Sequence, residues 1–472
     1  MPLILSGNVA SATAAAYDVA NSCRFNDGDS PKLDLDFGSD GTLNKWTFSM
    51  WFKRGEPGTA QRLFCCLDTG MDDYIKFGTD DQLEWVFDNE DGTNKGVLKT
   101  NRKFRDVAWY HLVCRLDTTD GTAGDRMRMY INGTEETSFA TDTNPTQNET
   151  GDIGRDNDHF IGTSGSGQYF DGYIAEVCMI NNQSLAPTSF GEFDSDSPTI
   201  WKPIDVSGLT AGTNGFYLDF EASDNLGNDA AGGTDWTETN LAATDSATDT
   251  PTNNFATMNP LDNYFAGSTF SEGNTGVVTP TAATTWNTGT FGVSAGKWYW
   301  EVNYSAKSNT DAAMIGIAEA PTLSASDVLG NTARSVSYYT NGNKYVGTSG
   351  ASYGNTYTVG DIIGVALDMD NAKLYFSKNG TWQDSGDPTS GATGTGAIGI
   401  TAAASTSHGF YFPAVGDYGT PTTTSITFYL NFGNPSYAIS SGNADADGYG
   451  NFEYAPPSGY FALCTKNLAE YG

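Results

Sequence analysis

The sequence is poor in positive charge and in long apolar runs. It carries 24 Lys and Arg against 57 Asp and Glu, a formal net charge of −33 at pH 7. We expect no nucleic-acid partner, because nucleic-acid binding needs basic side chains that neutralise phosphates. No apolar segment reaches the length of a membrane span, and the N-terminal stretch lacks the basic and apolar regions of a signal peptide. The sequence therefore predicts a protein that does not insert into a membrane.

The cysteines lack the spacings that metals and redox motifs use. Neighbouring cysteines in a strand point to opposite faces, so the adjacent pair at 65 and 66 is unsuited to a mutual disulfide. We predict buried thiols, and a chain made and folded in a reducing cytoplasm. The six cysteines are Cys23, Cys65, Cys66, Cys114, Cys178 and Cys464.

Long helical patterns with proper caps are also missing. What is present in their place is 55 Gly, 24 Tyr, 26 Phe and 10 Trp, a composition that suits short strands joined by tight turns. At 472 residues the chain is too long for one core. The sequence predicts an all-β protein of two antiparallel, jelly-roll-like β-sandwich domains.

The stretch "GDIIGVALDMDNAKLYFSKNGTWQ" illustrates the strand pattern. Ile363, Val365 and Leu367 alternate with smaller or polar neighbours, and Leu374 and Phe376 do the same after the Asp-Met-Asp-Asn turn. We predict a hairpin with one buried face.

Two runs of strands resemble known families. The order "WTFSMWFKRG", "WYHLVCRLD", "MRMYINGTEE" and "FDGYIAEVCMINNQSL" is similar to the laminin-G-like branch of the concanavalin A-like sandwiches, which gives a first domain over residues 1–200. The order "GKWYWEV", "IGIA", "YYTNGNKY" and "GDIIGVALDMDNAKLYFSKNG" resembles a SPRY domain, which gives a second domain over residues 263–436. In that family the hairpin is scaffold and end loops carry recognition.

The remaining segments are rich in Thr, Asp, Asn and Gly but contain apolar anchors. Residues 201–262 include a strand-like run from Phe216 to Phe220, and then Trp236, Phe255 and Met258. If buried, each anchor is worth roughly 1.5–3 kcal/mol. We expect an ordered but irregular linker over 201–262 and a packed tail over 437–472.

The connecting segments also resemble virion structural proteins of tailed bacteriophages. The resemblance is carried by "LILSGNVASATAAAYDVANSCRFN", "GTNGFYLDFEASDNLGNDAAGGTDWTETN", "DTPTNNFATMNP" and "NFEYAPPSGYFALCTKNL". It implies a virion component made in host bacterial cytoplasm, with other virion proteins as partners and homo-oligomers as the expected state. A fibre, an appendage and a capsid-surface component all fit.

Catalytic patterns are weak. Glu192, Asp194 and Asp196 share one side of an extended "EFDSD", but the final Glu of a retaining glycosidase pattern is missing, and solvated turn acids are the preferred interpretation. His111 reads as a packed strand residue, and no Ser-His-Asp arrangement is visible. We predict no enzyme, and we expect that Glu192→Gln changes no function.

Binding candidates are aromatic side chains close to turns. Tyr338, Tyr345, Tyr353 and Trp382 could each stack on a sugar face or fill a protein pocket, although each is also an ordinary sandwich residue type. No cofactor is predicted. Calcium is left open for "DTTDGTAGD", Asp117 to Asp125, which has oxygen ligands at loop spacing without the full calcium-loop pattern.

Three function classes follow from these patterns. The preferred one is a non-catalytic virion structural protein that contacts other proteins, with binding of host-surface polysaccharide left open. The alternatives are a dedicated carbohydrate-binding adhesin and, against the missing carboxylate pattern, a glycan depolymerase.

Overall fold

The chain forms two all-β units. The computed structural model describes residues 17–68, 71–88, 94–263, 267–281, 284–321, 324, 327–347, 349–418 and 424–472. Within these residues one unit ends at Asn253 and the other begins at Asn254. The prediction of an all-β chain with two antiparallel sandwiches is confirmed.

The first unit is built from two large antiparallel sheets. Its strands are β1 (Ser22–Phe25), β2 (Lys32–Asp36), β3 (Lys45–Arg54), β4 (Gln61–Asp68), β5 (Met71–Phe77), β6 (Gln82–Asp88), β7 (Asn94–Lys103), β8 (Trp109–Asp117), β9 (Met127–Ile131), β10 (Thr134–Glu135), β11 (Phe139–Thr143), β12 (Asp158–Ile161), β13 (Gly172–Asn181), β14 (Gly191–Phe193), β15 (Trp201–Pro203), β16 (Phe216–Leu218), β17 (Thr237–Thr239) and β18 (Ser246–Ala247). Sheet 1 has the order β10-β9-β8-β3-β13-β1-β18, with β16 beside β13. Sheet 2 has the order β11-β7-β6-β5-β4-β12-β2-β17, and β14 pairs with β15.

Aromatic side chains fill the space between sheets 1 and 2. Phe48 on β3 stacks on Phe64 on β4 with 4.6 Å between ring centroids. Trp46 and Trp85 meet across the same core at 5.5 Å. These residues are fully buried because every second side chain of a strand points to the same face.

The outer face of sheet 1 is also buried. Trp51, Trp109 and Tyr173 lie on this face under a cover that includes Trp201 and Ala247. A buried ion pair anchors the end of the cover, with Lys53 Nζ 2.6 Å from the Asp249 carboxylate. The Trp109 indole N–H also donates to Asp249, at 2.8 Å. The segment after β15 is therefore an integral part of the first sandwich.

The expected linker over 201–262 is divided between the two units. Phe216 and Trp236 lie in the core between sheets 1 and 2. Met258 lies in the main core of the second unit, and Phe255 packs in a smaller buried cluster of that unit. The anchors seen in the sequence are all buried, but the boundary falls between Asn253 and Asn254, so the segment does not form a separate joint.

The second unit is a smaller sandwich. Its elements are β19 (Thr269–Ser271), β20 (Gly276–Val278), β21 (Trp286–Thr288), β22 (Lys297–Lys307), β23 (Ala313–Ala318), β24 (Ser335–Tyr339), β25 (Asn343–Val346), β26 (Ser349–Ser352), β27 (Ile362–Asp368), β28 (Lys373–Lys378), β29 (Thr381–Trp382), β30 (Ile398–Gly399), β31 (Phe412–Asp417), β32 (Ile426–Asn431), β33 (Phe461–Ala462) and the helix α1 (Thr465–Tyr471). Sheet 3 has the order β19-β20-β32-β22-β27-β28-β29, with β30 beside β28 and β33 beside β22. Sheet 4 has the order β21-β31-β23-β24-β25-β26.

The predicted hairpin is present as β27 and β28, but it is buried on both faces. Ile363, Val365 and Leu367 point into the core between sheets 3 and 4, as predicted. Ala366 and Tyr375 on the opposite face are also fully buried. The prediction of one buried face was wrong, because a distant part of the chain covers the second face.

That cover is the C-terminal segment. Phe452 and Tyr460 pack on the outer face of sheet 3, against Tyr299. The buried Glu301 carboxylate accepts the backbone N–H groups of Glu453 at 2.9 Å and Tyr454 at 2.7 Å. A carboxylate hydrogen-bonded in this way holds the segment on β22 without a cation.

The six cysteines are all buried thiols, as the sequence predicted. Cys66 lies in the core between sheets 1 and 2, whereas Cys65 lies on the opposite face of β4. In the described part of the chain, no helix has the length and apolar character needed to cross a bilayer.

Candidate functional site

Three tyrosines form a partly exposed cluster on the outer face of sheet 4. Tyr339 ends β24, Tyr345 lies on β25 and Tyr418 follows β31 directly. The ring centroids lie 5.9 Å apart for Tyr339 and Tyr345, 5.4 Å for Tyr339 and Tyr418, and 6.3 Å for Tyr345 and Tyr418. Tyr418 is 38% exposed and the other two rings are half-buried. We call these three residues the tyrosine cluster.

Strand alternation and two glycines place the Tyr345 ring. Tyr345 pairs with Ser337 on β24, so it faces outward while Val336 and Tyr338 face the core. A Cβ atom at Gly330 would lie 2.7 Å from the Tyr345 Cβ atom, and one at Gly350 would lie 3.0 Å from Tyr345 Cζ. A side chain at Gly330 would clash with Tyr345, and one at Gly350 would require the Tyr345 ring to shift.

Polar groups flank the tyrosine cluster. The Tyr339 hydroxyl donates to the backbone oxygen of Asp311 at 3.4 Å. The Asp311 carboxylate accepts from the Tyr304 hydroxyl at 3.1 Å and lies 2.5 Å from Lys307 Nζ. Burial alone would raise the pKa of Asp311, but the hydrogen bonds from Lys307 and Tyr304 outweigh it and lower that pKa. The site therefore offers phenol rings beside an ionised carboxylate.

Two of the predicted binding tyrosines are core residues. Tyr338 is 0% exposed and Tyr353 is 4% exposed, with 5.5 Å between their ring centroids. The Tyr338 hydroxyl donates to the backbone oxygen of Asn355. The Tyr353 hydroxyl accepts the N–H of Phe376 at 3.1 Å. In this conformation neither ring can meet a sugar, because each is enclosed by the sandwich.

The other two predicted binding residues, Tyr345 and Trp382, lie in different parts of the second unit. Tyr345 belongs to the tyrosine cluster, with a half-buried ring. Trp382 is half-buried on β29 and packs against the cover of sheet 3. Sequence reasoning missed Tyr339 and Tyr418. Tyr339 could have been found from the alternation of β24, whereas Tyr418 lies outside any strand and carries no such signal.

His111 is held as a structural hydrogen-bonding residue. The Trp201 indole N–H donates to His111 Nδ1 at 2.9 Å, and His111 Nε2 lies 2.8 Å from the Ser49 hydroxyl. Since an indole N–H only donates, Nδ1 is the acceptor and Nε2 carries the proton. Burial lowers the pKa of His111 to about 3. This imidazole cannot accept a proton from Ser49 through Nε2.

The acidic stretch begins on β14 with Glu192 and continues into a turn, and its first two carboxylates pair with Lys202. Asp194 accepts the backbone N–H groups of Asp196 and Ser197, each at 2.9 Å. Lys202 Nζ lies 3.3 Å from the Glu192 carboxylate and 3.5 Å from that of Asp194. Glu192 is exposed but lies on β14, and Asp194 is only 7% exposed, so the interpretation as solvated turn acids fits Asp196 alone.

In the calcium candidate between residues 117 and 125, each carboxylate contacts a different partner. Asp117 lies 2.9 Å from Lys45 Nζ, Asp120 accepts the backbone N–H of Thr122 at 2.8 Å, and Asp125 pairs with Arg128. Among the residues described, no group of three or more His, Cys, Asp or Glu side chains is placed to hold a metal ion. Calcium binding at this loop stays an untested prediction.

A cavity of about 390 Å³ opens near the edge of the second sandwich, between sheets 3 and 4. Its apolar wall includes Val336, Val346 and Ile400, and the Tyr411 ring closes one side. Val346 is 40% exposed at its mouth. The cavity has no charged lining residue, so it would suit a neutral group.

Two family models match separate parts of the chain. Residues 27–187 match a laminin G model described as the concanavalin A-like lectin/glucanases superfamily. Residues 297–416 match the SPRY domain. The chain contains a concanavalin A-like domain and a SPRY domain. The tyrosine cluster belongs to the SPRY domain, with Tyr418 just beyond the matched residues.

Several solved structures are similar to part of the chain. The SPRY domain of human HERC1 is 17% identical, with 33% of this chain and 86% of that chain covered and a TM-score of 0.26. The heptameric SAP-like pentraxin of Limulus polyphemus is 16% identical, with 36% and 80% covered and a TM-score of 0.28. A candidate carbohydrate-binding protein of Bacteroides ovatus is 13% identical, with 47% and 58% covered and a TM-score of 0.33. No curated protein matches this chain.

Proposed function

We propose that the protein is a non-catalytic virion component that binds glycans of a host surface through the tyrosine cluster. The observation that carries the binding part is the grouping of Tyr339, Tyr345 and Tyr418 on an outer sheet face, with centroids 5.4 to 6.3 Å apart. Partly exposed rings in contact offer a surface on which a sugar face stacks.

The chemistry around the rings favours a neutral or amino sugar. The Tyr339 phenol stays neutral at physiological pH, since burial raises its pKa. The Asp311 carboxylate could accept hydrogen bonds from sugar hydroxyls or pair with an ammonium group. An acidic polysaccharide would be repelled by the net charge of −33. Each contact is weak, and many copies on one particle would raise effective affinity by about 10² to 10⁴.

The virion role is supported by the resemblance of the connecting segments to phage structural proteins, together with the buried thiols. The non-catalytic assignment is supported by the state of the candidate groups. The His111 Nε2 atom is a donor, and the Glu192 carboxylate is paired with Lys202. A dedicated adhesin would differ from a structural component by strong glycan affinity of the isolated chain.

A glycan array printed with bacterial surface polysaccharides tests the binding part. We expect the full chain to bind a subset of neutral or amino glycans and Tyr418→Ala to lose at least about tenfold in affinity. Phe193→Ala is the matched control, because Phe193 is a 45% exposed aromatic of the other domain. Equal binding by Tyr418→Ala and wild type would refute the site. Release of reducing ends from a polysaccharide incubated with the protein would instead support the depolymerase alternative.

The location needs its own test. Electron microscopy of virions labelled with an antibody against the chain should place it on the particle surface. Absence of label from purified virions, with the chain detected in infected cells, would contradict the virion role while leaving the glycan test intact.

A further inference from the structure

The strand β26 is an exposed and uncharged sheet edge. Its residues Ser349, Gly350, Ala351 and Ser352 are all exposed, and within the described residues β25 is the only strand that pairs with it. Edge strands normally carry charges, prolines or bulges that prevent pairing with another chain. The strand β26 has no charged residue, no proline and no bulge. The edge strands β11 and β17, in contrast, contain Asp142 and Glu238.

The pairing of β25 with β26 fixes which backbone groups are available. Val346 and Ser349 are the last pair of the two strands and are separated by two residues in the sequence, and the last pair in such a hairpin is a hydrogen-bonded one. The next pair, Tyr345 with Gly350, is then non-hydrogen-bonded, and so is the pair that contains Ser352. The N–H and C=O groups of Gly350 and Ser352 therefore point away from β25, towards the open edge.

We propose that β26 pairs with β26 of a second copy of this chain, in antiparallel fashion about a twofold axis. The occupant follows from the edge itself, because the outward N–H and C=O groups of Gly350 and Ser352 are complementary to those of a second β26 and neither strand carries a charge. Two chains of net charge −33 repel each other over most of their surfaces, so an interface forms most easily where the touching strands are neutral. The pairing joins sheet 4 of the two copies into one continuous sheet.

The register between the two copies of β26 is limited by one requirement: the core-facing sides of both strands must lie on the same side of the joined sheet. Ser349 pairs with Val346, which pairs with the core residue Val336, so Ser349 and Ala351 share the inward face. Paired residues of two strands must face the same side. Pairing Gly350 with Ser352 of the second copy meets this condition and uses all the outward N–H and C=O groups of both residues.

In this register Ala351 meets Ala351 of the second copy at the axis, with Cα atoms about 4.5 Å apart. The Tyr345 ring lies over Gly350 on the outer face, 3.0 Å from an added Cβ. The two tyrosine clusters would then share one face of the joined sheet. The interface itself does not depend on any ligand.

Disulfide trapping tests the register. Ala351→Cys should cross-link two copies under mild oxidation, because its Cα separation lies in the disulfide range. Ser349→Cys is the matched control: its two copies would lie four residues apart along the strand, about 13 Å, too far for a bond. Failure of Ala351→Cys to cross-link, or equal cross-linking by both variants, would overturn the register.

Sedimentation equilibrium of the full chain tests the interface independently. Because salt screens the repulsion between copies, the dimerisation constant should rise at least about tenfold between 0.02 and 0.3 M NaCl. Ala351→Glu, which places two carboxylates at the axis, should abolish the dimer, while Thr141→Glu on β11 should not. A wild type that is monomeric at every salt concentration, or a dimer that survives Ala351→Glu, would overturn the proposal.

Discussion

The two domains cover an outer sheet face in different ways. In the concanavalin A-like domain the cover ends on a buried ion pair, Lys53 with Asp249 at 2.6 Å. In the SPRY domain the cover is held by the Glu301 carboxylate, which accepts backbone N–H groups of Glu453 and Tyr454. One cover depends on two desolvated charges and the other on hydrogen bonds and apolar packing. They should therefore respond differently to mutation.

The remaining outer faces differ in what their aromatic rings can bind. On sheet 2 the Tyr74 ring is occupied by cations, with the Arg62 guanidinium 4.0 Å and Lys76 Nζ 4.6 Å from its centroid. On sheet 4 the rings of the tyrosine cluster contact one another and Tyr418 is exposed. Side-chain cations already pack on the first aromatic surface, and we propose that the second accepts a ligand. This difference places the expected binding on the SPRY domain.

Removal of residues 437–472 should have the largest effect. It strips Phe452 and Tyr460 from sheet 3, where each buried side chain is worth roughly 1.5–3 kcal/mol. The total approaches the stability of a whole domain, so the SPRY domain should unfold while the concanavalin A-like domain keeps its transition. Differential scanning calorimetry of the truncated chain checks this. Two unchanged transitions would mean that the cover contributes little.

The ion pair under the first cover should be the most sensitive single position. Lys53→Ala leaves Asp249 buried without its cation, and we expect the free energy of unfolding of this domain to fall by about 3–5 kcal/mol. Urea unfolding gives the value. Lys32→Ala is the control, since its pair with Asp34 is partly exposed and worth at most about 1 kcal/mol. Similar losses in both variants would show that burial of the pair is unimportant.

Glu176 should make the first domain more sensitive to alkaline pH. Its carboxylate is buried and accepts from the hydroxyls of Tyr217 at 2.8 Å and Tyr17 at 3.1 Å. Burial raises its pKa from 4.5 to about 7. The folded state therefore binds this proton more tightly than the unfolded state, and its contribution, complete below about pH 4.5, is lost as pH rises through 7.

Glu176→Gln removes that titration. The variant should gain about 2–3 kcal/mol over wild type at pH 8 and nothing at pH 4.5, measured by thermal unfolding across this range. Glu135→Gln, on an exposed side chain of the same domain, is the control. A stability difference between Glu176→Gln and wild type that does not change with pH would contradict the assignment.

The smallest effect is expected at Glu192. Its side chain is 51% exposed and its pair with Lys202 is solvated, so Glu192→Gln should change unfolding free energy by less than about 0.5 kcal/mol and leave glycan binding intact. Loss of an activity towards a glycan in this variant would show that the acidic turn has a catalytic role.

Period-two alternation was enough to predict both sandwiches and much of their cores. Ile363, Val365 and Leu367 point inward as the pattern requires. The buried second face of the hairpin could not be predicted, since Ala366 and Tyr375 are covered by Phe452 and Tyr460 from far along the chain. No local pattern encodes such a contact.

The candidate site was predicted only in part. Tyr345 was among the predicted binding residues, but so was Tyr338, which lies near a turn and continues the inward series of Val336. Tyr418 joins the cluster through the pairing of β31 with β23, which is a long-range contact. Local sequence could indicate aromatic residues near turns but not which of them would meet in space.

The central claim is that the tyrosine cluster, and no surface of the concanavalin A-like domain, carries the glycan affinity. Isothermal titration calorimetry should use the oligosaccharide that binds best on the array, with wild type, the double variant Tyr345→Ala/Tyr418→Ala and the control Phe193→Ala. We predict loss of the binding heat in the double variant only, with both unfolding transitions preserved. Undiminished binding by a folded double variant would contradict the account.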